Sequence, residues 1–64
     1  MSSKTSIILC TYNEASYIEN TISELEKNIT NLEIIIVDDS SSDGTIEIIK
    51  RLNQNNKYKV IYRK

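Results

Sequence analysis

Two short clusters hold the residues able to do chemistry: Thr11-Tyr12-Asn13-Glu14, and Asp38-Asp39 with the polar turn Ser40-Ser41-Ser42-Asp43-Gly44-Thr45 behind it. A carboxylate fixed at a ligand edge accepts hydrogen bonds from a base or a ribose, or coordinates a hard cation through oxygen. Tyr12 offers a flat face on which a base can stack, and Glu14 adds acceptors beside it. Successive residues of an extended strand point to opposite sides, so Asp38 and Asp39 cannot address one ligand atom in the same way. One is expected to face the site and the other to hold the loop. Each residue also has a plainer reading. The acids cap a turn or a helix, Tyr12 is partly buried in the core, and Glu14 is a first-turn acid favoured by the helix dipole.

The elements that must position these clusters are legible in the apolar pattern. Ile34-Ile35-Ile36-Val37 is an unbroken β-branched run ending at the two acids. Such a run is expected of a strand covered on both faces, as in parallel α/β sheets, where ligands bind beyond the carboxyl ends of the strands. Thr5 to Cys10 predicts a first strand and Leu32 to Val37 a second. Between them Ile18, Ile22, Leu25 and Ile29 recur at helical spacing, with Asn13 as the candidate N-cap and Ser16-x-x-Glu19 as an alternative capping box. Ile46, Ile49 and Leu52 mark a second helix that Ser42 or Asp43 can cap. Lys57 to Arg63 then alternates as a partly exposed strand, Tyr58, Val60 and Tyr62 on one side and Lys59, Ile61 and Arg63 on the other.

The order is therefore β-α-β-α-β, an α/β fold with a three-stranded parallel sheet. Right-handed crossovers that step steadily in one direction give the strand order 3-2-1 and put both helices on the same face. The opposite face, with alternate residues of Ile7 to Cys10 and Leu32 to Val37, has nothing in 64 residues to cover it. The segment is expected to be the N-terminal part of a larger domain and, alone, to self-associate through that face.

Composition removes several function classes. A chain of this length is one small domain, burying only about 60% of its unfolded surface on folding. With one glycine, neither a G-x-G-x-x-G dinucleotide loop nor a G-x-x-x-x-G-K-[ST] phosphate loop exists here. The topology is Rossmann-like without Rossmann chemistry. No histidine and a single cysteine, Cys10, exclude a Cys/His zinc site, a Ser-His-Asp triad and a disulfide. No apolar stretch is long enough for a membrane span or a signal-peptide core. All nine acids lie between Glu14 and Glu47, and six of the eight basic residues follow from Lys50 onward. That basic end lacks the interleaved aromatic residues of a single-strand binder, so no nucleic-acid partner is expected. Asn28-Ile29-Thr30 fits the glycosylation pattern, but without a secretory signal it carries no weight.

Taken together, Cys10-Thr-Tyr-Asn-Glu14 and Glu33-Ile-Ile-Ile-Val-Asp-Asp-Ser-Ser-Ser-Asp-Gly-Thr45 resemble the opening of the family 2 glycosyltransferases of GT-A fold. Within these the segment is most like the dolichol- or polyprenol-phosphate mannosyltransferases. The usual pattern there is Pro-Thr-Tyr-Asn-Glu followed by Val-Asp-Asp-x-Ser-x-Asp-Gly-Thr, and the likeness runs from Ser6 to about Arg63. The resemblance implies that residues 1–64 are the N-terminal nucleotide-binding portion of a truncated GT-A domain. By the same resemblance Tyr12 packs on the base, Glu14 helps hold the nucleoside, Asp39 hydrogen-bonds the base and Val37 adds a backbone contact. Cys10 stands where the family has proline, leaving a small apolar residue against the nucleotide. Asp38 falls to the loop.

The activity implied is sugar transfer from a GDP- or UDP-sugar, with a polyprenyl phosphate as one acceptor class. A divalent Mg or Mn ion is expected in the complete enzyme, not bound by this segment. The family's Asp-x-Asp metal motif and catalytic base are absent, so the isolated segment is expected to be inactive. The place implied is the cytoplasm or the cytoplasmic face of a membrane. Two other classes stay open: a receiver-like signalling domain, whose Asp pair however ends the first strand rather than the second, and a non-catalytic interaction module using the exposed sheet face.

Overall fold

The computed structural model describes residues 3–64. Its order is β1 (Thr5–Thr11), α1 (Ile18–Asn28), β2 (Leu32–Asp39), α2 (Thr45–Leu52) and β3 (Lys59–Arg63). The strands form one parallel sheet in the order β1-β2-β3. This is the expected arrangement, with β2 in the centre and its carboxyl end beside that of β1.

Parallel register puts paired residues on the same face. Ile7 lies beside Ile34, Leu9 beside Ile36 and Val60 on the far side of Ile36. That face meets the helices, and the core of Ile18, Ile22, Ile34, Ile36 and Ile49 is closed between them, with Leu9, Leu25, Leu52, Tyr58 and Val60 packed around it. Burying one such isoleucine is worth roughly 1.5–3 kcal/mol, so these five side chains carry much of what orders the fold. Exposed polar ties hold the helices in place. Arg51 on α2 reaches Glu19 on α1 at 2.8 Å, and Glu26 on α1 receives both Lys57 and the Tyr58 hydroxyl at 2.8 Å.

The other face carries Ile8, Cys10, Ile35, Val37 and Ile61, and no described residue covers it. Ile8 is 65% and Ile61 52% exposed. This is the uncovered layer that the unbroken apolar run anticipates. A polar margin closes its lower end, where Lys4 and Lys59 flank Glu33 at 3.9 and 3.5 Å.

The helix starts differ from expectation. Asn13 does not cap α1, and Ser16 and Glu19 form no capping box. The helix begins at Ile18 behind Tyr17, without a side-chain cap. Residues 15–17 form a turn instead, in which the Glu14 carbonyl accepts from the amides of Tyr17 and Ile18. Asn13 sits at φ 51, a left-handed conformation that asparagine tolerates better than most residues, and its side chain is engaged elsewhere. At α2 the N-cap is Gly44, at φ 99, rather than Ser42 or Asp43. Asp43 still serves the helix from one position further out, its Oδ1 accepting from the Thr45 amide at 3.1 Å. Two strands run further than expected: β1 gains Thr11, and β2 gains Asp38 and Asp39. Thr11 and Asp38 extend the ladder by pairing with each other. Strand β3 starts two residues late because Asn53 Oδ1 holds the Tyr58 amide in the loop, at 2.7 Å.

Candidate functional site

Both clusters lie where the sheet ends, and they are joined by hydrogen bonds between the β1–α1 and β2–α2 loops. The joint is built on Asp38. Its side chain is on the helix face, 0% exposed, and it accepts from the Thr11 hydroxyl at 2.6 Å, the Ser41 hydroxyl at 2.6 Å and the Ser41 amide at 2.9 Å. Burial pushes this carboxyl up, but the Ser41 and Thr11 hydroxyls and the Ser41 amide outweigh it and hold it below the ordinary carboxylate value.

Two short relays run from the first loop into buried or bonded acids. The Asn13 amide donates to Ser41 Oγ at 2.9 Å, and that hydroxyl donates onward to Asp38. The Glu14 amide donates to Thr45 Oγ1 at 2.8 Å, and that hydroxyl donates to Asp43 Oδ1. Each hydroxyl accepts one bond and gives one, so each link polarises the next. Asn13 Oδ1 returns the contact by accepting from the Ser42 amide at 2.8 Å, and Asp43 Oδ2 accepts from the Ala15 amide at 3.1 Å. The Thr45 hydroxyl above all, then the Ala15 and Thr45 amides, hold the Asp43 carboxyl below its usual value. Backbone amides at 13, 14 and 15 are thus each assigned a partner on the other loop. This fixes where Tyr12 and Glu14 stand.

The five candidate residues divide into a floor and a rim. Cys10 and Val37 are register partners on the uncovered face, Cys10 exposed and Val37 half-buried. Asp39 follows two residues after Val37 on that same face, exposed at the end of β2. Tyr12, 62% exposed, continues beyond Cys10, and Glu14 is half-buried with its backbone pinned by Thr45. The arrangement is an open ledge with an aromatic side chain, an exposed carboxylate and an apolar floor.

A pocket of about 300 Å³ lies elsewhere, on the helix side of β3, lined by Asp38, Ser40, Ile46, Lys50, Tyr62, Arg63 and Lys64. It shares none of the five residues. Burial, followed by the charge of Asp38, raises the Tyr62 phenol at its mouth. Among the described residues no three His, Cys, Asp or Glu side chains gather as a metal site. The chemistry of the donor set agrees, because Asp38 and Asp43 each already take three donors. No described helix is long and apolar enough to cross a membrane.

Sequence reasoning did not find Ser41, Thr45 and Thr11 as the clasp between the loops, nor the part of Asn13 in it. Their types signal turn and cap chemistry, and only the adjacency of β1 and β2 turns that local capacity into a bond across 27 or more residues.

The chain is 44% identical over 52 residues to an uncharacterised glycosyltransferase of Mycoplasma genitalium, a match covering 77% of this chain and 18% of that protein. It is 42% identical over 52 residues to the poly-beta-1,6-N-acetyl-D-glucosamine synthase of Staphylococcus aureus, covering 80% of this chain and 13% of the synthase. The chain thus spans less than a fifth of the length of these relatives. No solved structure matches it. Residues 6–64 match the model of Glycosyl transferase family 2, which takes in both loops and all three strands, and the chain belongs to that family.

Proposed function

We propose that this chain forms the nucleoside-binding half-site, the N-terminal portion of a GT-A domain, in a nucleotide-sugar-dependent glycosyltransferase. Asp39 accepts hydrogen bonds from the base, Tyr12 packs on it, Glu14 holds the nucleoside, and Cys10 and Val37 floor the ledge. The observation that carries this reading is the unequal fate of the two acids. Asp38 is saturated inside the loop joint, whereas Asp39 stands exposed beside Val37 at the sheet edge.

The donor is a UDP- or GDP-activated hexose or N-acetylhexosamine. The resemblance in the motifs favours a polyprenyl phosphate acceptor. The name of the S. aureus relative favours a growing N-acetylglucosamine polymer, and neither that relative nor the M. genitalium one is named as a mannosyltransferase. A divalent cation would neutralise the diphosphate leaving group in the complete enzyme; among the described residues no cluster of acids gathers to hold one.

Calorimetry of the full-length protein with UDP and with GDP tests the assignment. Removing a hydrogen bond to a charged group costs roughly 1.5–3 kcal/mol, so Asp39→Ala should weaken binding about 10- to 150-fold. Unchanged affinity would overturn the role given to Asp39. The 64-residue chain by itself should show no transferase activity.

A further inference from the structure

Asp39 does not stand alone at the sheet edge. Its register partner across the β2–β3 ladder is Arg63, whose Nη2 lies 3.6 Å from Asp39 Oδ2. The residue after Asp39 is Ser40, which leaves the strand at φ 59, in the left-handed region. Its hydroxyl donates to the Arg63 carbonyl at 2.8 Å. Arg63 therefore meets this corner twice, through its guanidinium at the carboxylate and through its carbonyl at the turn just behind it.

We propose that Arg63 and Ser40 are positioning residues for Asp39: the guanidinium selects the rotamer in which the carboxylate is presented to a nucleobase N–H, and the Ser40 hydroxyl holds the turn from which that carboxylate projects. This rests on the reading of Asp39 as the base acceptor. The size of the effect follows from rotamer counting. A side chain free at χ1 divides among three staggered wells, and a ligand that needs one of them binds more weakly by the fraction of time that well is occupied. Holding one well is therefore worth about three-fold in affinity. An exposed ion pair contributes little to folding, with a median near 0–1 kcal/mol, so variants at Arg63 keep the fold and the effect can be read on binding.

The same strand supplies the control. Lys59 pairs with Glu33 at 3.5 Å on the same sheet face, but at the opposite end of the strands, away from the ledge. If Arg63 acted only as a surface charge, Lys59 would act likewise.

The test is the affinity of the full-length protein for UDP and GDP, by calorimetry, in Arg63→Gln, Arg63→Lys, Ser40→Ala, Lys59→Gln, Asp39→Asn and the double variant Asp39→Asn/Arg63→Gln. Arg63→Gln and Ser40→Ala should each weaken binding about three-fold, Arg63→Lys should restore most of the loss, and Lys59→Gln should change nothing. On the Asp39→Asn background, Arg63→Gln should add no further loss. An unchanged affinity in Arg63→Gln overturns the proposal. So does an equal loss with and without Asp39, because the guanidinium would then be meeting the nucleotide itself. If neither nucleotide binds, or Asp39→Asn leaves binding intact, the nucleoside reading falls and takes this one with it. Additive losses with Asp39 still required overturn the positioning role alone.

Discussion

Thr45 is where the logic of the loop joint can be tested most sharply. Its side chain is 0% exposed. Its hydroxyl accepts from the Glu14 amide at 2.8 Å and donates to Asp43. Thr45→Val keeps the shape and replaces the hydroxyl by a methyl group. Two effects then oppose each other. The added apolar burial favours the variant by up to about 0.8 kcal/mol, the value of one buried methylene. Against this, the half-buried Glu14 amide loses its acceptor, at roughly 1–3 kcal/mol. Asp43 also loses one of three donors, and because that carboxylate is exposed the loss there adds little. The hydrogen-bond loss should win, leaving a net destabilisation of about 1–2 kcal/mol.

For a chain this short, 1 kcal/mol moves Tm by roughly 4–8 °C, so urea or thermal unfolding resolves the change. Thr45→Ser is the matched control. It keeps the relay and gives up a methyl group, so it should lie closer to the wild type than Thr45→Val does. The reasoning is refuted if Thr45→Val is as stable as the wild type, or if Thr45→Ser is the worse of the two. Either result would mean that the threonine is there to fill space and that the relay contributes nothing.

Three further outcomes follow from the same contacts. Asp38 and Asp43 have depressed folded-state pKa values, so the stability they confer is fully present above the unfolded aspartate value of about 3.9 and is lost as pH falls through the lower folded values. Stability should be nearly independent of pH from 7 to about 5 and fall steeply below about 4, and Asp38→Asn should flatten that fall while lowering stability at neutral pH. At Gly44, φ is 99 and nothing lies within 4 Å of an added Cβ, so Gly44→Ala should cost only the backbone strain, about 1–2 kcal/mol, with Gly44→Asn cheaper; chemical denaturation measures both. Replacing Ile8 and Ile61 by Lys on the uncovered face should leave the unfolding midpoint nearly unchanged, within about 0.5 kcal/mol per site, and should lower self-association of the 64-residue chain in sedimentation.

The elements were legible because each obeys one period. Ile18, Ile22 and Ile49 fall on helical stripes and are buried, and the four-residue run of β2 splits by strand alternation into Ile34 and Ile36 inside and Ile35 and Val37 on the open face. The helix starts were not legible. Asn13, Ser42 and Asp43 are residues that cap when nothing else competes for them. Here the neighbouring loop competes and wins at Asn13, while at α2 the single glycine takes the left-handed position and moves the cap by one residue. Local sequence carries no term for a partner 28 residues away, so an assignment made from type alone cannot anticipate that exchange.

The pair Asp38-Asp39 shows how far strand geometry reaches into the site. Because β2 extends through both residues, alternation sends Asp38 to the helix face, next to Thr11, and Asp39 to the open face, beside Arg63. An acid on the helix face is enclosed and must find donors there, since an unpaired buried carboxylate is costly. The serine and threonine hydroxyls of the two loops meet that requirement, and in doing so they bind the loops to each other. An acid on the open face has no such need, so it remains available to a ligand and is restrained by one cation alone. One residue of register therefore separates a structural carboxylate from a candidate binding one, and an insertion between Val37 and Asp38 would put the new residue beside Thr11 and move Asp38 to the open face beside Arg63. Such a variant should lose the loop joint while keeping an acid on the ledge, whereas Asp39→Ala should remove the ledge acceptor and leave the joint intact. Protection of the Asn13 and Glu14 amides from hydrogen exchange distinguishes the two. If the insertion left those amides protected, strand alternation would not be what assigns the acids.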